Sequence, residues 1–219
     1  MQTLTEKLLK LASPGGICDE TVVRNLFPEA TVGARRLLVH RAVQSGEVQR
    51  LKPGLLILAP AYRRSEAHPF SIAACLHGPA HISLESALAH HGLIPEAVYQ
   101  VASVTAARSR TFNTPVGVFT FQRVPANNPR AGVEAVKLPT GAWVFIATPL
   151  RAIADMVYLN RPVTWARDGA GYLTESLRLE PEEVARLSFQ PLDAIARSLR
   201  NRRTIEYLQG LYQEVKHGC

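Results

Sequence analysis

Cysteine is scarce in this chain. There are three in 219 residues, Cys18, Cys75 and Cys219, an odd number at wide spacing with no CxxC pair. No disulfide framework is expected, and a reducing cytoplasm is the simplest compartment. Long apolar runs are also missing: LLILAPA and WVFIA, among the longest, fall far short of the roughly 20 residues that cross a bilayer. Met1 is not followed by the apolar segment of a secretory signal, so the expectation is a soluble protein with no membrane partner. Catalytic signatures are absent in the same way. There is no GxSxG elbow, no P-loop and no GxGxxG after a strand, and the carboxylates Glu85, Glu96, Glu134, Asp155 and Asp168 are scattered without a tight pair. An enzyme is not expected, and no cofactor is implied; a nuclease that gathers dispersed carboxylates around a metal is the less favoured alternative.

What the chain does have is positive charge in one place. Its net charge is +7, and between Arg24 and Arg64 eight basic residues stand against two acids, Glu29 and Glu47. A solvated basic surface would account for such a window; so would a nucleic-acid footprint. The pattern inside the window favours the second reading. TLTEKLLKLA places Leu4, Leu8, Leu11 and Ala12 on one helical face and stops at SPGG. DETVVRNLF follows, with Asp19 as cap and Glu20 in the first turn, and ends at Pro28. ATVGARRLLVHRAVQSG then offers Thr31 as a cap and Gly46 as a stop, with an apolar side of Val32, Ala34, Leu38, Val39, Ala42 and Val43. VQRLKPGLLILA reads as two β-prone runs around a Lys-Pro-Gly turn.

Three helices and a hairpin, with the charge on the third helix and the hairpin, are the order of a winged helix-turn-helix that presents its third helix to a major groove. Seven residues are candidates for DNA contact: Arg35, Arg36, His40, Arg41, Gln44, Arg50 and Lys52. Arg36, His40 and Gln44 recur at i, i+4 and i+8, where arginine can read guanine and glutamine adenine. Arg50 and Lys52 are expected to grip the phosphate backbone, and Arg35 either to contact a base or to snorkel over the core. With about five phosphates neutralised, log K would fall against log salt with a slope near −4 to −5.

Residues 1–66 are therefore assigned to this module and residues 67–219 to a second, mixed α/β domain, giving an α+β protein. Past the connector YRRSEAHPF, short helices at SIAACLHG and SLESALAHHG precede β-rich runs at VYQVASVTAA, RTFNTPVGVFTFQRV, AGVEAVKL and AWVFIA. Thr148 caps and Pro149 opens a helix through LRAIADMVYL, and further helices are expected around YLTESLRL, PEEVARL, PLDAIARSL and RTIEYLQGLYQEV. The crowd of Cys75, His77, His81, His90 and His91 lacks the paired spacings of a zinc site, and the adjacent His90 and His91 point about 100° apart. A helix capped by Ser83 and stopped at Gly92, with His91 helping the turn, explains the stretch without a metal. ARSLRNRR, with Arg197, Arg200, Arg202 and Arg203, reads as a solvated helix end or an extension of the basic surface.

The run HISLESALAHHGLIPEAVYQVASVTAARSRTFNTPVGVFTFQRVP, followed by VFIATPLRAIADMVYL and preceded by the basic N-terminal module, resembles the AbiEi antitoxins of type IV toxin–antitoxin systems. The resemblance covers residues 3 to 160, and is most specific at Ser-Leu-Glu-Ser-Ala-Leu ending in His91-Gly92-Leu93 and at Ala147-Thr148-Pro149 with Asp155. It implies a bacterial antitoxin that binds double-stranded DNA upstream of its own operon as a transcriptional repressor. It also implies neutralisation of a nucleotidyltransferase toxin, functionally and without a stable complex. Leu150-Arg151 departs from the Glu-Lys common in such proteins, and Leu56 stands at a hairpin position often aromatic. An orphan regulator with no toxin partner is the alternative within the same fold.

Overall fold

The computed structural model describes residues 3–11, 14–94 and 100–217. The N-terminal part contains α1 (Leu4–Leu11), β1 (Ile17–Asp19), α2 (Glu20–Leu26), α3 (Val32–Gln44), β2 (Val48–Lys52) and β3 (Leu55–Leu58). The helix starts follow the sequence: Asp19 accepts the Val22 N–H at 2.9 Å and Thr31 the Ala34 N–H at 3.2 Å, each satisfying a donor left free by the first turn. The three strands form an antiparallel sheet in the order β1-β3-β2. Strand β1 is not legible in the sequence, because three residues between a 3-10 turn and a helix carry no period.

Leu4, Leu8, Val23, Phe27, Ala42, Leu56 and Leu58 form the small core of this part. Helix α3 meets it with less of its surface than its apolar positions suggest. Ala42 is buried and Leu38, Val39 and Val43 are half-buried, but Val32 is 51% exposed and Ala34 is exposed. The first turn of α3 thus projects beyond the core.

The second part runs α4 (Pro69–Leu76), β4 (Ala80–Ile82), α5 (Leu84–His90), β5 (Gln100–Thr105), β6 (Arg110–Thr114), β7 (Gly117–Arg123), β8 (Val133–Lys137), β9 (Trp143–Ala147) and α6 (Pro149–Leu159). It closes with α7 (Trp165–Asp168), a π-turn at Tyr172–Ser176, α8 (Pro181–Ala185), α9 (Leu192–Leu199) and α10 (Arg202–His217). The expected β-rich runs become one six-stranded mixed sheet, ordered β6-β7-β5-β4-β9-β8; Val98 and Tyr99 of the first run lie outside the described residues. Thr148 caps α6 as expected, accepting the Arg151 N–H at 3.3 Å. Strand β4, central in the sheet, escapes sequence reading because it is three residues long between Pro79 and Ser83.

Register separates the two faces of the sheet. Ile82, Ser103 and Phe121 are cross-strand partners and share one face, where the Phe121 ring meets His77 at the end of α4, centroids 5.2 Å apart. His81, one residue from Ile82 and so on the opposite face, reaches Asp155 in α6. Farther on, α10 lies over α6 and α7, brought close by Gly210, where a Cβ would fall 2.2 Å from the Trp165 ring.

Strand β3 joins the two parts. Leu56 and Leu58 belong to the small core, whereas Leu55 and Ile57, alternating with them, belong to the large core with Ile72 and Leu76 of α4. The expected division at residues 66 and 67 falls after this strand, which is buried on both faces.

Candidate nucleic-acid interface

Arg36, His40, Arg41 and Gln44 on α3 are all exposed, and among the described residues none has a protein hydrogen-bond or ionic partner. Eight residues at 1.5 Å rise carry the row Arg36, His40, Gln44 over about 12 Å, close to the width of a B-DNA major groove. Across from the start of α3 lies the β2–β3 turn, fixed by Glu20 N–H donating to the Gly54 carbonyl at 3.0 Å. Gly54 takes φ +77°, which a side chain would resist. Between turn and helix is a groove of about 390 Å³ walled by Arg35, Arg36 and Arg50, with Glu20 as the acid in its lining. Three cations against one acid leave it positive.

Two of the seven candidates are engaged within the protein. Arg35 is half-buried, and its Nη1 donates to the carbonyls of Phe27 and Ala30, pinning the α2–α3 turn. Lys52 donates to the carbonyls of Leu76 at 2.6 Å and Cys75 at 3.2 Å, the last turn of α4. A bulge accounts for Lys52. Pairing steps from Arg50↔Leu56 to Lys52↔Leu55, so one extra residue, Leu51, turns Lys52 onto the face that looks toward α4. A Lys-Pro-Gly turn in sequence gives no sign of this slip.

The histidines between Cys75 and His91 have separate contacts. His77 lies 3.2 Å from the Arg108 carbonyl, His91 donates from Nε2 to the Ala147 carbonyl at 2.9 Å, and His90 packs against the Phe70 and His91 rings. Among the described residues no three His, Cys, Asp or Glu side chains come together as a metal site. Neither Cys18 nor Cys75 is an activated thiol: burial, reinforced by Asp19, pushes Cys18 up to about 12, and burial also raises Cys75.

His81 belongs to a buried ionic cluster. Arg151 and Asp155, both 0% exposed, pair at 2.9 Å from Nε to Oδ1, while Arg151 Nη1 donates to the Ala131 carbonyl at 2.7 Å. Asp155 Oδ2 accepts from the Ser83 hydroxyl at 2.8 Å and stands 3.4 Å from His81 Nε2. Complete burial pushes the Asp155 carboxyl up, but Arg151, His81 and Ser83 together bring it below its ordinary value. Burial holds His81 below its ordinary value despite Asp155, so the ring is neutral at pH 7.

This cluster corrects one expectation. Ser83 stands at the N-cap of α5 but makes no capping bond, because Asp155 has captured its hydroxyl, and Leu84 takes φ +56°. The remaining carboxylates do not converge with Asp155: Glu85 and Glu134 are exposed, and Asp168 accepts from Thr164 N–H and Arg167. Glu96 lies outside the described residues. In the C-terminal arginine cluster, Arg203 donates to the carbonyls of Tyr158, Asn160 and Val163, whereas Arg202 pairs with Glu206 on an exposed surface. No protein-family model matches the chain, and no curated protein matches it.

Proposed function

We propose that residues 1–66 are a winged helix-turn-helix that binds duplex DNA through α3 and the β2–β3 hairpin, and that the protein is a transcriptional autorepressor and antitoxin. The observation that carries the DNA reading is the face of α3: Arg36, His40, Arg41 and Gln44 are exposed and uncommitted, with Arg50 across the groove. A helix that only closed a core would bury its large apolar side chains; this one leaves Val32 of its first turn and Leu37 of its second 51% and 47% exposed. Thymine methyl groups are suitable partners for such side chains. The α1–β1–α2–α3–β2–β3 order and the three-stranded sheet fit the same reading.

Roles divide accordingly. Arg36 and Gln44 read bases, Arg41 and Arg50 neutralise phosphates, and Arg35 and Lys52 hold the hairpin and helix where the others can act. With two arginines on phosphates rather than about five cations, the salt slope falls to about −2 per protein. The antitoxin role, directed at a nucleotidyltransferase, rests on the resemblance carried by Ser83–Leu93 and Ala147–Asp155.

Two experiments test these roles. The first is anisotropy titration of a labelled duplex from the chain's own upstream region against a scrambled one. The second is co-expression with a neighbouring nucleotidyltransferase, where growth is restored if the antitoxin reading holds. Specific DNA binding without rescue of any such neighbour would leave the orphan regulator.

A further inference from the structure

A cleft around Trp143 is independent of the basic face. Two chambers meet at Ala74 and Trp143. The outer, about 520 Å³, lies between the N-terminal sheet at Leu55 and α4 at Ser71 and Cys75. The inner, about 210 Å³, opens where β4 and β9 part company. Those strands meet at Ile82↔Ile146, and ahead of that pair Ala80 and His81 on one side and Val144 and Phe145 on the other form the chamber walls.

Four features of the cleft converge on one kind of ligand. Trp143 is 65% exposed and offers its ring for stacking, while Phe145, two residues along the same face and 42% exposed, carries Arg130 on its ring. The Arg130 guanidinium sits 3.2 Å from the Phe145 ring centroid, and among the described residues it has no carboxylate partner. Ser103 is 1% exposed, lines the inner chamber, and its hydroxyl has no protein partner; the Ser71 hydroxyl, in the outer chamber, is likewise buried and unpartnered. No Asp or Glu lines the inner chamber. Cation, buried hydroxyl and open ring suit a planar group with a negative charge. The inner chamber's volume is below the roughly 300–1,000 Å³ of drug-sized sites, which limits the ligand to one ring.

We propose that this cleft binds a small aromatic anion: a single planar ring, stacked on Trp143, whose carboxylate or phosphate group meets Arg130 above Phe145 and reaches Ser103 through the gap between β4 and β9. The site does not depend on the DNA-binding reading, and its test contains no DNA.

The chain has two tryptophans, Trp143 and Trp165, and Trp165 packs edge-on against Tyr207, centroids 5.4 Å apart. Two indole N–H signals are therefore expected from the ¹⁵N-labelled full chain, and Trp143→Phe assigns them. Titration uses 4-hydroxybenzoate and phenyl phosphate, with 4-hydroxybenzamide as the neutral ring and inorganic phosphate as the ringless anion. The Trp143 signal should shift saturably with at least one ring-bearing anion while Trp165 stays still, and the tighter of the two identifies the anionic group. Arg130→Gln, at an exposed position that leaves the core intact, should weaken binding about ten-fold or more, as for a lost charge-assisted hydrogen bond, and Ser103→Ala by less. The proposal is overturned if neither ring-bearing anion moves the Trp143 signal, if the neutral amide or bare phosphate moves it equally, or if Arg130→Gln binds as well as the parent.

Discussion

Arg36 and Arg151 are the same residue in opposite circumstances. Arg36 stands exposed on α3 with no partner among the described residues, while Arg151 is fully enclosed and held by Asp155 and the Ala131 carbonyl. Water solvates the first at almost no cost to folding, so its charge is free to meet a polyanion. The second depends on the partners that answer its Nε and Nη1, with Nη2 left unpartnered, and that need ties β4, α6 and the 131 loop together. In the proposed reading the charge of Arg36 serves recognition, whereas that of Arg151 serves architecture.

The sharpest way to break this contrast is to remove one member of the buried pair. Asp155→Ala leaves Arg151 uncompensated and should lower unfolding free energy by about 3–5 kcal/mol in urea titration. If the loss were near zero, the cluster would not be the structural element described here. Next in size is Ile57→Ala, on the strand shared by both cores, expected to cost about 2–4 kcal/mol and to destabilise both parts in one transition. Two separate transitions would mean that β3 does not couple them.

Acidification probes the same cluster without mutation. His81 has a folded value below its ordinary 6.5, so the unfolded chain binds protons that the folded one refuses. Stability from His81 is complete above about pH 6.5 and is lost as pH falls toward the lower folded value. Asp155 adds a second loss below the ordinary carboxylate value of 3.8, since its folded form also resists protonation. His81→Asn should abolish the first decline and, because His81 also helps to hold Asp155 down, shrink the second without removing it; chemical denaturation at stepped pH reads both. The smallest effect on folding belongs to Arg36→Ala. It should leave stability within about 0.5 kcal/mol, cost roughly 1–3 kcal/mol on the specific duplex and little on random DNA. Equal losses on both duplexes would make Arg36 a phosphate contact.

Sequence reading reached whatever depends on neighbours a few residues apart. The caps at Asp19, Thr31 and Thr148 and the row on α3 are local, and all are present. Hidden features arise from distant partners. Ser83 looked like a cap until Asp155, 72 residues away, took its hydroxyl. Lys52 looked like a hairpin-tip cation until the bulge turned it to α4, and Arg203 looked like surface charge until the carbonyls at the end of α6 accepted it. The three-residue strands β1 and β4 are too short for a period and exist because β3, β5 and β9 offer them edges. The cleft at Trp143 had no sequence signal, since its walls come from both parts of the chain.

The central claim is that the uncommitted face of α3 is a DNA-reading surface. Fluorescence anisotropy of the full chain, titrated into its own upstream duplex and a scrambled duplex across a salt series, tests it directly. Tighter binding to the upstream duplex is predicted, with a log–log salt slope of about −2 per protein that becomes shallower by about 0.9 after Arg41→Ala. Binding to neither duplex, or equal binding to both with no effect of Arg36→Ala, would contradict it.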